Sequence, residues 1–297
     1  LIHTARISYQ EFCESTFPEG LGLGGLKVVF DGANGAGYKV GPRTLANLGA
    51  EVIPIGCSPN GRNINQGCGS TNPELLSLTV PAVKADVGVA LDGDGDRLVM
   101  VDEDGNLVDG DQLLYILAMA RQSAGELQGP VVGTVMSNLG LEHALKAESI
   151  DFRRAKVGDR YVLETLRETG GVIGGETSGH MLVLDRTTTG DGLVSALQIL
   201  AVMKQTGKRL SELAAGMPRY PQTMVNVRTD KKLDPDASPA IQEAVGAVEQ
   251  ELQESGRVVL RASGTEPVIR VMVEGEDEAQ VTALAQRLAD VVAKAAA

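Results

Sequence analysis

Three carboxylates alternate with glycine at residues 92–97, where the sequence reads DGDGDR. The glycines permit a tight backbone, so Asp92, Asp94 and Asp96 can turn their side chains toward one centre. Adjacent carboxylates repel one another, and a divalent cation is the natural compensation. Ligand sets made only of oxygen favour Mg²⁺ or Ca²⁺ over zinc. The spacing therefore predicts a cation site, with an acidic surface turn as the plain alternative.

An EF-hand is a second interpretation of the same segment, because the three aspartates and Glu103 occupy its first, third, fifth and twelfth positions. The sixth position of an EF-hand requires glycine, and here it is Arg97. EF-hand loops are flanked by helices, whereas the flanks here predict strands. We therefore reject an EF-hand.

A second polar segment, GGETSGH at residues 174–180, joins two predicted strands. Glu176 and Ser178 suit the binding of sugar hydroxyls at fixed angles, and a plain glycine-rich turn is an equal alternative. His180 by itself is as readily structural as functional. Lys156, in the segment KVGDR, ends a predicted strand, where α/β proteins place ligand groups. A solvated lysine explains that position nearly as well.

A third segment, RASGTEP at residues 261–267, predicts a turn between two strands. The candidate binding residues of this turn are Arg261, Ser263, Gly264 and Thr265, and Arg270 follows the turn. Hydroxyls, backbone donors and two guanidinium groups form a nest that suits phosphate, with arginine giving bidentate contacts. A hairpin in which Glu266 pairs with an arginine is the alternative, and the cluster of hydroxyls with glycine favours phosphate.

Two further segments are interpreted as structural. DGANGAG at residues 31–37 follows a strand and precedes a helix, but Val40 stands where a dinucleotide-binding G-x-G-x-x-G pattern needs glycine. Ser70 lies in GSTNPE and resembles a reactive serine. However, Asn72 as a cap and Pro73 at the first helical position predict the start of a helix there.

Hydrophobic patterning predicts the elements that position these loops. Through the first two thirds, short β-branched runs alternate with amphipathic stretches, which is typical of strands covered by helices. The expected strands are residues 26–30, 51–55, 86–91, 98–102, 106–108, 130–134, 152–156, 172–174 and 181–184, and the expected helices are residues 41–48, 73–83, 111–121, 139–146, 161–169 and 191–205.

The last third has a different order, β-α-β-β-α, which predicts a smaller α+β layer. Its expected strands are residues 223–228, 257–261 and 268–273, and its expected helices are residues 241–254 and 278–296. We therefore expect three domains, formed by residues 1–108, 109–217 and 218–297.

Composition excludes several classes of protein. The net charge of −12 argues against nucleic acid as a partner, because such proteins need a cationic surface. Three cysteines without metal-ligand spacing predict reduced thiols and a cytoplasmic location. No apolar run reaches the roughly 18 residues of a membrane span, so no membrane contact is expected. The first residue is leucine, so we expect the chain to begin inside a longer protein.

In this order, the three loops resemble those of the α-D-phosphohexomutase superfamily. DGDGDR is similar to its metal loop, GGETSGH to its sugar-recognition loop and RASGTEPVIR to its phosphate-binding loop. The resemblance covers all 297 residues. The segments LKVVFDGANGAG, AKVGDRYV, TTTGDG and SGTEPVIRVMVEGEDEAQV are most similar to the phosphoglucosamine mutase branch.

The resemblance implies a fold. The superfamily has four domains, of which the first three are α/β and the fourth is smaller, and this chain is similar to the second to fourth. We therefore expect an α/β protein with two consecutive α/β domains, each with a mixed sheet covered by helices, followed by a smaller α+β C-terminal domain.

The resemblance also implies an activity. The reaction is the interconversion of glucosamine 6-phosphate and glucosamine 1-phosphate through a 1,6-bisphosphate, with Mg²⁺, for UDP-N-acetylglucosamine synthesis. By resemblance, Asp92, Asp94 and Asp96 hold Mg²⁺, and Arg97 lies beside the phosphoserine. The resemblance also implies that Glu176 and Ser178 bind the sugar, and that Lys156 and His180 are the candidates for acid/base chemistry. It implies that the non-reacting phosphate is held by Arg261, Ser263, Gly264, Thr265 and Arg270.

One departure concerns the phosphate donor. The first domain of the superfamily carries its phosphoserine in a T-A-S-H-N-P-type loop, and these 297 residues contain none. We therefore expect a fragment that is inactive alone and needs that N-terminal phosphoserine domain as a partner. The alternatives are a phosphoglucomutase or phosphomannomutase and a phosphosugar-binding protein without turnover; a dinucleotide-dependent oxidoreductase is a distant third. The oligomeric state stays open, a homodimer included.

Overall fold

The structure is a computed structural model that describes residues 2–229, 234–263 and 266–296. The chain divides into two compact units. One contains residues 1–137 and 144–217, and the other contains residues 138–143 and 218–297.

The first part of the larger unit is a five-stranded mixed sheet with helices packed on it. Its elements are α1 (Ile2–Ser15), β1 (Lys27–Asp31), α2 (Val40–Asn47), β2 (Glu51–Ile55), α3 (Glu74–Ala82), β3 (Val87–Leu91), β4 (Leu98–Val101) and β5 (Leu107–Val108). The strand order is β2-β1-β3-β4-β5. β1 is parallel to β2 and β3, and the β3–β4 and β4–β5 pairs are antiparallel. Pro54 lies in the edge strand β2, where a missing backbone donor is tolerated.

The second part of the larger unit contains a four-stranded mixed sheet. Its elements are α4 (Gly110–Ala124), β6 (Val131–Thr134), α5 (Leu139–Ala147), β7 (Phe152–Ala155), α6 (Asp159–Thr169), β8 (Ile173–Gly175), β9 (Met181–Val183), α7 (Gly192–Thr206) and α8 (Leu210–Ala214). The part of α5 before residue 144 is grouped with the smaller unit. The strand order is β7-β6-β8-β9, with only the β8–β9 pair antiparallel. α4 begins with a capping box between Asp109 and Gln112, which satisfies two donors of its first turn.

The smaller unit contains an antiparallel sheet backed by two helices. Its elements are β10 (Gln222–Arg228), α9 (Pro239–Leu252), β11 (Gly256–Ala262), β12 (Val268–Gly275) and α10 (Glu278–Ala296). The strand order is β10-β12-β11. One face of β12 presents Ile269, Val271 and Val273, all buried against the two helices. The fold class expected from the sequence is therefore confirmed.

Several local expectations need correction. α1 and α8 were not expected, since neither has a strong apolar stripe. Asn72 does not cap α3: the helix begins at Glu74, and Pro73 occupies the cap position without a side-chain hydrogen bond. Asn72 instead lies in a turn, with its backbone N–H donating to Gly69 O.

Residues 138–143, which lie within the predicted second domain, group with the smaller compact unit. The Asn138 side chain explains this, because it accepts a hydrogen bond from Tyr220 N and donates one to Tyr220 O. The three-domain division at residues 108/109 and 217/218 stays a prediction. Among the described residues, none of the helices has both the length and the apolarity needed to cross a bilayer.

Candidate active site

The acidic loop, residues 92–97, connects the carboxyl end of β3 to β4. Each of Asp92, Asp94 and Asp96 has a carboxylate oxygen within 4.8 Å of one on the other two. Asp92 is buried, Asp96 is half-buried and Asp94 is exposed, so the cluster opens from the protein interior to solvent. Strands rather than helices flank the loop, in agreement with the rejection of an EF-hand.

Asp92 is fixed by the backbone of its own loop. Its Oδ1 accepts hydrogen bonds from Gly95 N and Arg97 N, both at 3.1 Å. Burial raises the pKa of Asp92, and the charges of Asp96 and Asp94 raise it further, against the opposing effect of the Arg97 N–H. A divalent cation beside these carboxylates would relieve their mutual repulsion. The oxygen-only donor set and the opening to solvent both fit Mg²⁺.

The GGETSGH loop, residues 174–180, lies against the acidic loop. Arg97 and His180 form an isolated antiparallel bridge, and Leu98 N donates to Gly179 O at 2.9 Å. Gly179 has φ +96°, and a Cβ there would lie 2.0 Å from Leu98 O. Only glycine permits this close approach, so the two loops are joined by backbone contact at that position.

His180 is buried, and it links the acidic loop to residues 156–160. Its Nδ1 lies 3.2 Å from Asp96 Oδ2, and its Nε2 lies 4.0 Å from Asp159 Oδ2. Gly190, in the TTTGDG segment, packs on the imidazole, where a Cβ would come within 2.3 Å of the ring. His180 is thus held between two carboxylates, a setting that suits proton transfer.

Glu176 and Thr177 connect the GGETSGH loop to two other segments. Glu176 Oε1 accepts a hydrogen bond from Gly158 N at 2.9 Å, and Thr177 Oγ1 donates to Asp111 Oδ2 at 2.8 Å. Ser178 is exposed at the tip of the loop. Lys156 is exposed just beyond the end of β7, with its Nζ 5.8 Å from the centroid of the Tyr161 ring.

In the smaller unit, two arginines lie directly opposite each other. Arg261 of β11 pairs in register with Arg270 of β12, and Arg270 pairs with Asn226 of β10 on its other side. Directly opposite residues project from the same face of a sheet, and like charges there are destabilising. An anion bound between the two guanidinium groups would remove that repulsion.

The turn after Arg261 is described in part. Ser263 N donates to Val268 O at 2.8 Å, and Glu266 N lies 3.4 Å from Ser263 Oγ, which accepts from it. Gly264 and Thr265 lie outside the described residues.

Two residues of the candidate site had no role in the sequence analysis. Asp159 is part of the quoted AKVGDR segment, but its approach to His180 depends on folding. Asn226 stands in the row with the two arginines only because of strand register, which the sequence pattern does not fix. A polar residue in the middle of a predicted strand was the available signal for Asn226.

Profiles of three domains of one family match the chain. The phosphoglucomutase/phosphomannomutase α/β/α domain II matches residues 9–105, α/β/α domain III matches residues 109–220, and the C-terminal domain matches residues 224–291.

Similar sequences carry a more specific name. A phosphoglucosamine mutase of Aeromonas hydrophila is 57% identical over 287 residues, which are 97% of this chain and 65% of that protein. A phosphoglucosamine mutase of Salmonella newport is 58% identical over 285 residues, or 96% of this chain and 64% of that protein. The chain thus spans slightly less than two thirds of the length of these relatives.

Solved structures share the fold. A phosphoglucomutase/phosphomannomutase family protein of Burkholderia thailandensis superposes with a TM-score of 0.78 at 23% identity, covering 97% of this chain and 64% of that one. Aspergillus fumigatus N-acetylphosphoglucosamine mutase, in complex with GlcNAc-6P and magnesium, superposes with a TM-score of 0.75 at 21% identity, covering 96% and 69%.

Proposed function

Because this chain belongs to the phosphoglucomutase/phosphomannomutase family, we propose that it carries most of the site of a phosphoglucosamine mutase. The reaction is the interconversion of glucosamine 6-phosphate and glucosamine 1-phosphate through a 1,6-bisphosphate. The observation that carries the proposal is the joining of a three-carboxylate loop to the GGETSGH loop through Leu98 N and Gly179 O. Relatives with that name, at 57–58% identity, support the amino-sugar substrate.

Mg²⁺ is the proposed cofactor, held by Asp92, Asp94 and Asp96. When bound, it supplies positive charge that neutralises the phosphoryl group in transfer. Arg97 directly follows these ligands, its Nε lies 3.9 Å from Asp92 Oδ2 and its side chain is half-exposed, so it is available to a phosphate beside them. Asp92 is fixed in advance by two backbone donors, which limits the rearrangement that cation binding requires.

The sugar is proposed to bind at the GGETSGH loop. The bond from Gly158 N holds the Glu176 carboxylate in one orientation, and the hydroxyl of Ser178 is exposed. Both groups suit the directional hydrogen bonding of sugar hydroxyls. His180, between Asp96 and Asp159, and Lys156, beyond the end of β7, are the proposed groups for moving a proton to or from the reacting hydroxyl.

The phosphate that does not react is proposed to bind in the smaller unit. Arg261 and Arg270 present two guanidinium groups on one face of the sheet, with Asn226 in the same row. Ser263, Gly264 and Thr265 complete the proposed loop. Guanidinium groups bind phosphate through paired, charge-assisted hydrogen bonds.

The phosphoryl donor is proposed to be a phosphoserine supplied by a first domain of the family. Transfer back and forth needs such a group on the protein, and positioning cannot replace a reactant. The proposed partners are therefore this domain, the phosphorylated amino sugar and its bisphosphate. A cytoplasmic location is proposed with it, supported by the free thiols of Cys13, Cys57 and Cys68.

The direct test is calorimetric titration of the 297-residue chain with Mg²⁺. We expect Asp94→Ala to abolish or strongly weaken binding, because it removes one of three proposed ligands. Asp104→Ala is the matched control, since it removes an exposed carboxylate beyond β4 and should bind as the parent does. Equal affinities for the parent and Asp94→Ala would refute the metal site.

The substrate is tested separately. With the first domain of a relative added as its own polypeptide, Mg²⁺ and a trace of the bisphosphate, we expect faster conversion of glucosamine 6-phosphate than of glucose 6-phosphate or mannose 6-phosphate. A preference for either neutral sugar would select the phosphoglucomutase or phosphomannomutase alternative. Binding of the phosphosugar without turnover in the reassembled protein would select a purely binding function.

A further inference from the structure

Asp31 is a fully buried carboxylate at the carboxyl end of β1, next to β3 in the first sheet. Its Oδ1 accepts a hydrogen bond from Ala33 N at 2.9 Å, and its Oδ2 accepts one from Gly69 N at 2.7 Å. Gly56 packs on the same group, where a Cβ would lie 2.2 Å from Oδ1. One buried carboxylate therefore joins the loop of residues 31–37 to the loop of residues 56–70.

These two loops hold the backbone on either side of Asp92. Ser70 N donates to Leu91 O at 2.8 Å, and Ala36 N donates to Gly93 O at 2.8 Å. The contact at Gly93 is close, because a Cβ on Gly35 would lie 2.1 Å from Gly93 O. The acidic loop thus begins between two backbone donors that come from the two loops joined by Asp31.

The two loops adopt conformations that need outside support. Ala33 has φ 54° and Asn34 has φ 49°, in the left-handed region that non-glycine residues rarely occupy. Gly69 has φ +80°, and a Cβ there would lie 2.5 Å from Ala33 Cβ and 2.7 Å from Leu91 O. The carboxylate of Asp31 accepts hydrogen bonds from the amides of Ala33 and Gly69, so it stabilises the unusual backbone conformation in both loops.

We propose that Asp31 is a positioning residue for the cation site: its carboxylate holds the two loops whose amides fix Leu91 and Gly93, and so keeps the three aspartates convergent. Asp31 also pairs in register with Ala90 of β3, and its carboxylate reaches the acidic loop through the two loops that it joins. The inference rests on the proposed function in one respect, namely that the acidic loop binds a divalent cation.

The test variant is Asp31→Asn, which preserves shape but replaces one acceptor oxygen with a donor. One of the two amides then loses its partner inside the protein. We expect the dissociation constant for Mg²⁺, measured by calorimetry on the 297-residue chain, to rise by roughly five- to 150-fold, the range for one buried amide left without a partner.

The matched control is Asp102→Asn in the same sheet. Asp102 is also buried and also accepts two backbone amides, but both at Oδ1, from Asp104 at 3.0 Å and Asn106 at 2.8 Å, while its Oδ2 accepts Asn106 Nδ2 at 3.1 Å. It lies in the turn after β4, at the other end of that strand from the acidic loop. Asp102→Asn can keep both backbone amides at Oδ1 and loses only the acceptor of Asn106 Nδ2. We expect Asp31→Asn to lose more thermal stability than Asp102→Asn, and only Asp31→Asn to lose Mg²⁺ affinity. Equal affinities of the two variants would overturn the proposal.

Glycine variants give a second comparison that does not depend on Asp31→Asn folding. Gly69→Ala and Gly67→Ala both place alanine at positive φ in one loop, but Gly67 faces open space while Gly69 faces Leu91 O. We expect only Gly69→Ala to weaken Mg²⁺ binding. The same affinity for both variants would contradict the role of the loop in holding Leu91.

Amide hydrogen exchange of the metal-free chain separates this inference from the proposed function. We expect Asp31→Asn to speed exchange at Gly95 and Arg97, whose amides bind Asp92 Oδ1, more than Asp102→Asn does. Unchanged exchange at these amides overturns the inference whether or not the parent binds a cation. Failure of the parent to bind Mg²⁺, with exchange changed as expected, counts against the proposed function and supports the positioning role.

Discussion

Replacing Arg270 with methionine should separate phosphate binding from the stability of the smaller unit. The substitution keeps the aliphatic stem and removes the guanidinium group that lies opposite Arg261. A hydrogen bond to a charged group contributes about 1.5–3 kcal/mol. The dissociation constant for glucosamine 6-phosphate should therefore rise by about 10- to 150-fold.

The effect of the same change on folding should be small or of opposite sign. Like charges directly opposite each other on neighbouring strands are destabilising, by an amount on the order of 0.2–1 kcal/mol. Arg270→Met removes one of two such charges, so the free energy of unfolding should stay the same or rise slightly. If Arg270 had only a structural role, its replacement would lower both the affinity for the phosphosugar and the free energy of unfolding.

Arg257→Met is the control on the same face of the same sheet, in the strand that carries Arg261. Arg257 pairs in register with Glu274, and its Nη2 lies 3.0 Å from the fully buried Glu274 Oε2. Removing one partner of a buried ion pair costs about 3–5 kcal/mol. The low end applies here, because Gln222 Nε2 also donates to that oxygen, at 2.7 Å. We expect lower stability and unchanged phosphosugar affinity in the folded protein.

The assays are calorimetry with glucosamine 6-phosphate at constant ionic strength and unfolding in urea. We expect opposite patterns: Arg270→Met loses affinity and keeps stability, while Arg257→Met loses stability and keeps affinity. Unchanged affinity in Arg270→Met, or a loss of stability as large as that in Arg257→Met, would refute the proposal that Arg261 and Arg270 bind phosphate.

Three further outcomes are expected. Gly179→Ala should lower the free energy of unfolding by more than the roughly 1–2 kcal/mol expected for alanine at the positive φ of Gly207. The reason is that a Cβ on Gly179 would meet Leu98 O, while Gly207 faces open space. Equal losses in urea unfolding would contradict this. Burial raises the pKa of Cys57 to about 11. Alkylation of Cys57 by iodoacetamide, followed by peptide mass spectrometry, should therefore be slow at pH 8 and accelerate about tenfold per pH unit up to that pKa. An alkylation rate that no longer rises above pH 9 would be inconsistent with the raised pKa. The 297-residue polypeptide alone should not convert glucosamine 6-phosphate, and turnover abolished by Ser70→Ala would show that reasoning to be wrong.

Much of the fold could be predicted because its signals are local. The runs of β-branched residues before Asp92 and after Arg97 predict strands, and β3 and β4 lie there. The alternation with amphipathic stretches predicts the covering helices. α1 was missed because its apolar residues are interrupted by polar ones, and some of its large side chains, such as Tyr9, remain partly exposed.

The site was predictable in its parts and not in its assembly. The acidic loop is a local pattern, whereas the approach of His180 to Asp96 joins residues 84 positions apart. Strand register places Asn226 beside Arg270, and no short motif encodes a register. The DGANGAG segment was interpreted as a tight turn and GSTNPE as the start of a helix. Both interpretations miss that the two segments bind the backbone around Asp92.

The acidic loop is held mainly by backbone groups, and this agrees with the proposed chemistry. Phosphoryl transfer depends on positioning and charge neutralisation more than on covalent steps by the protein. Besides the amides of Ala36 and Ser70, Gly192 N, at the start of α7, donates to Gly95 O at 2.9 Å. Each of these donors comes from a different segment, and none is a side chain that could itself react. A substitution at Gly192 that leaves all three carboxylates in the sequence should therefore weaken cation binding, as the loss of one carboxylate does. The reason is that ligand atoms displaced by about an ångström no longer have the geometry that the cation needs.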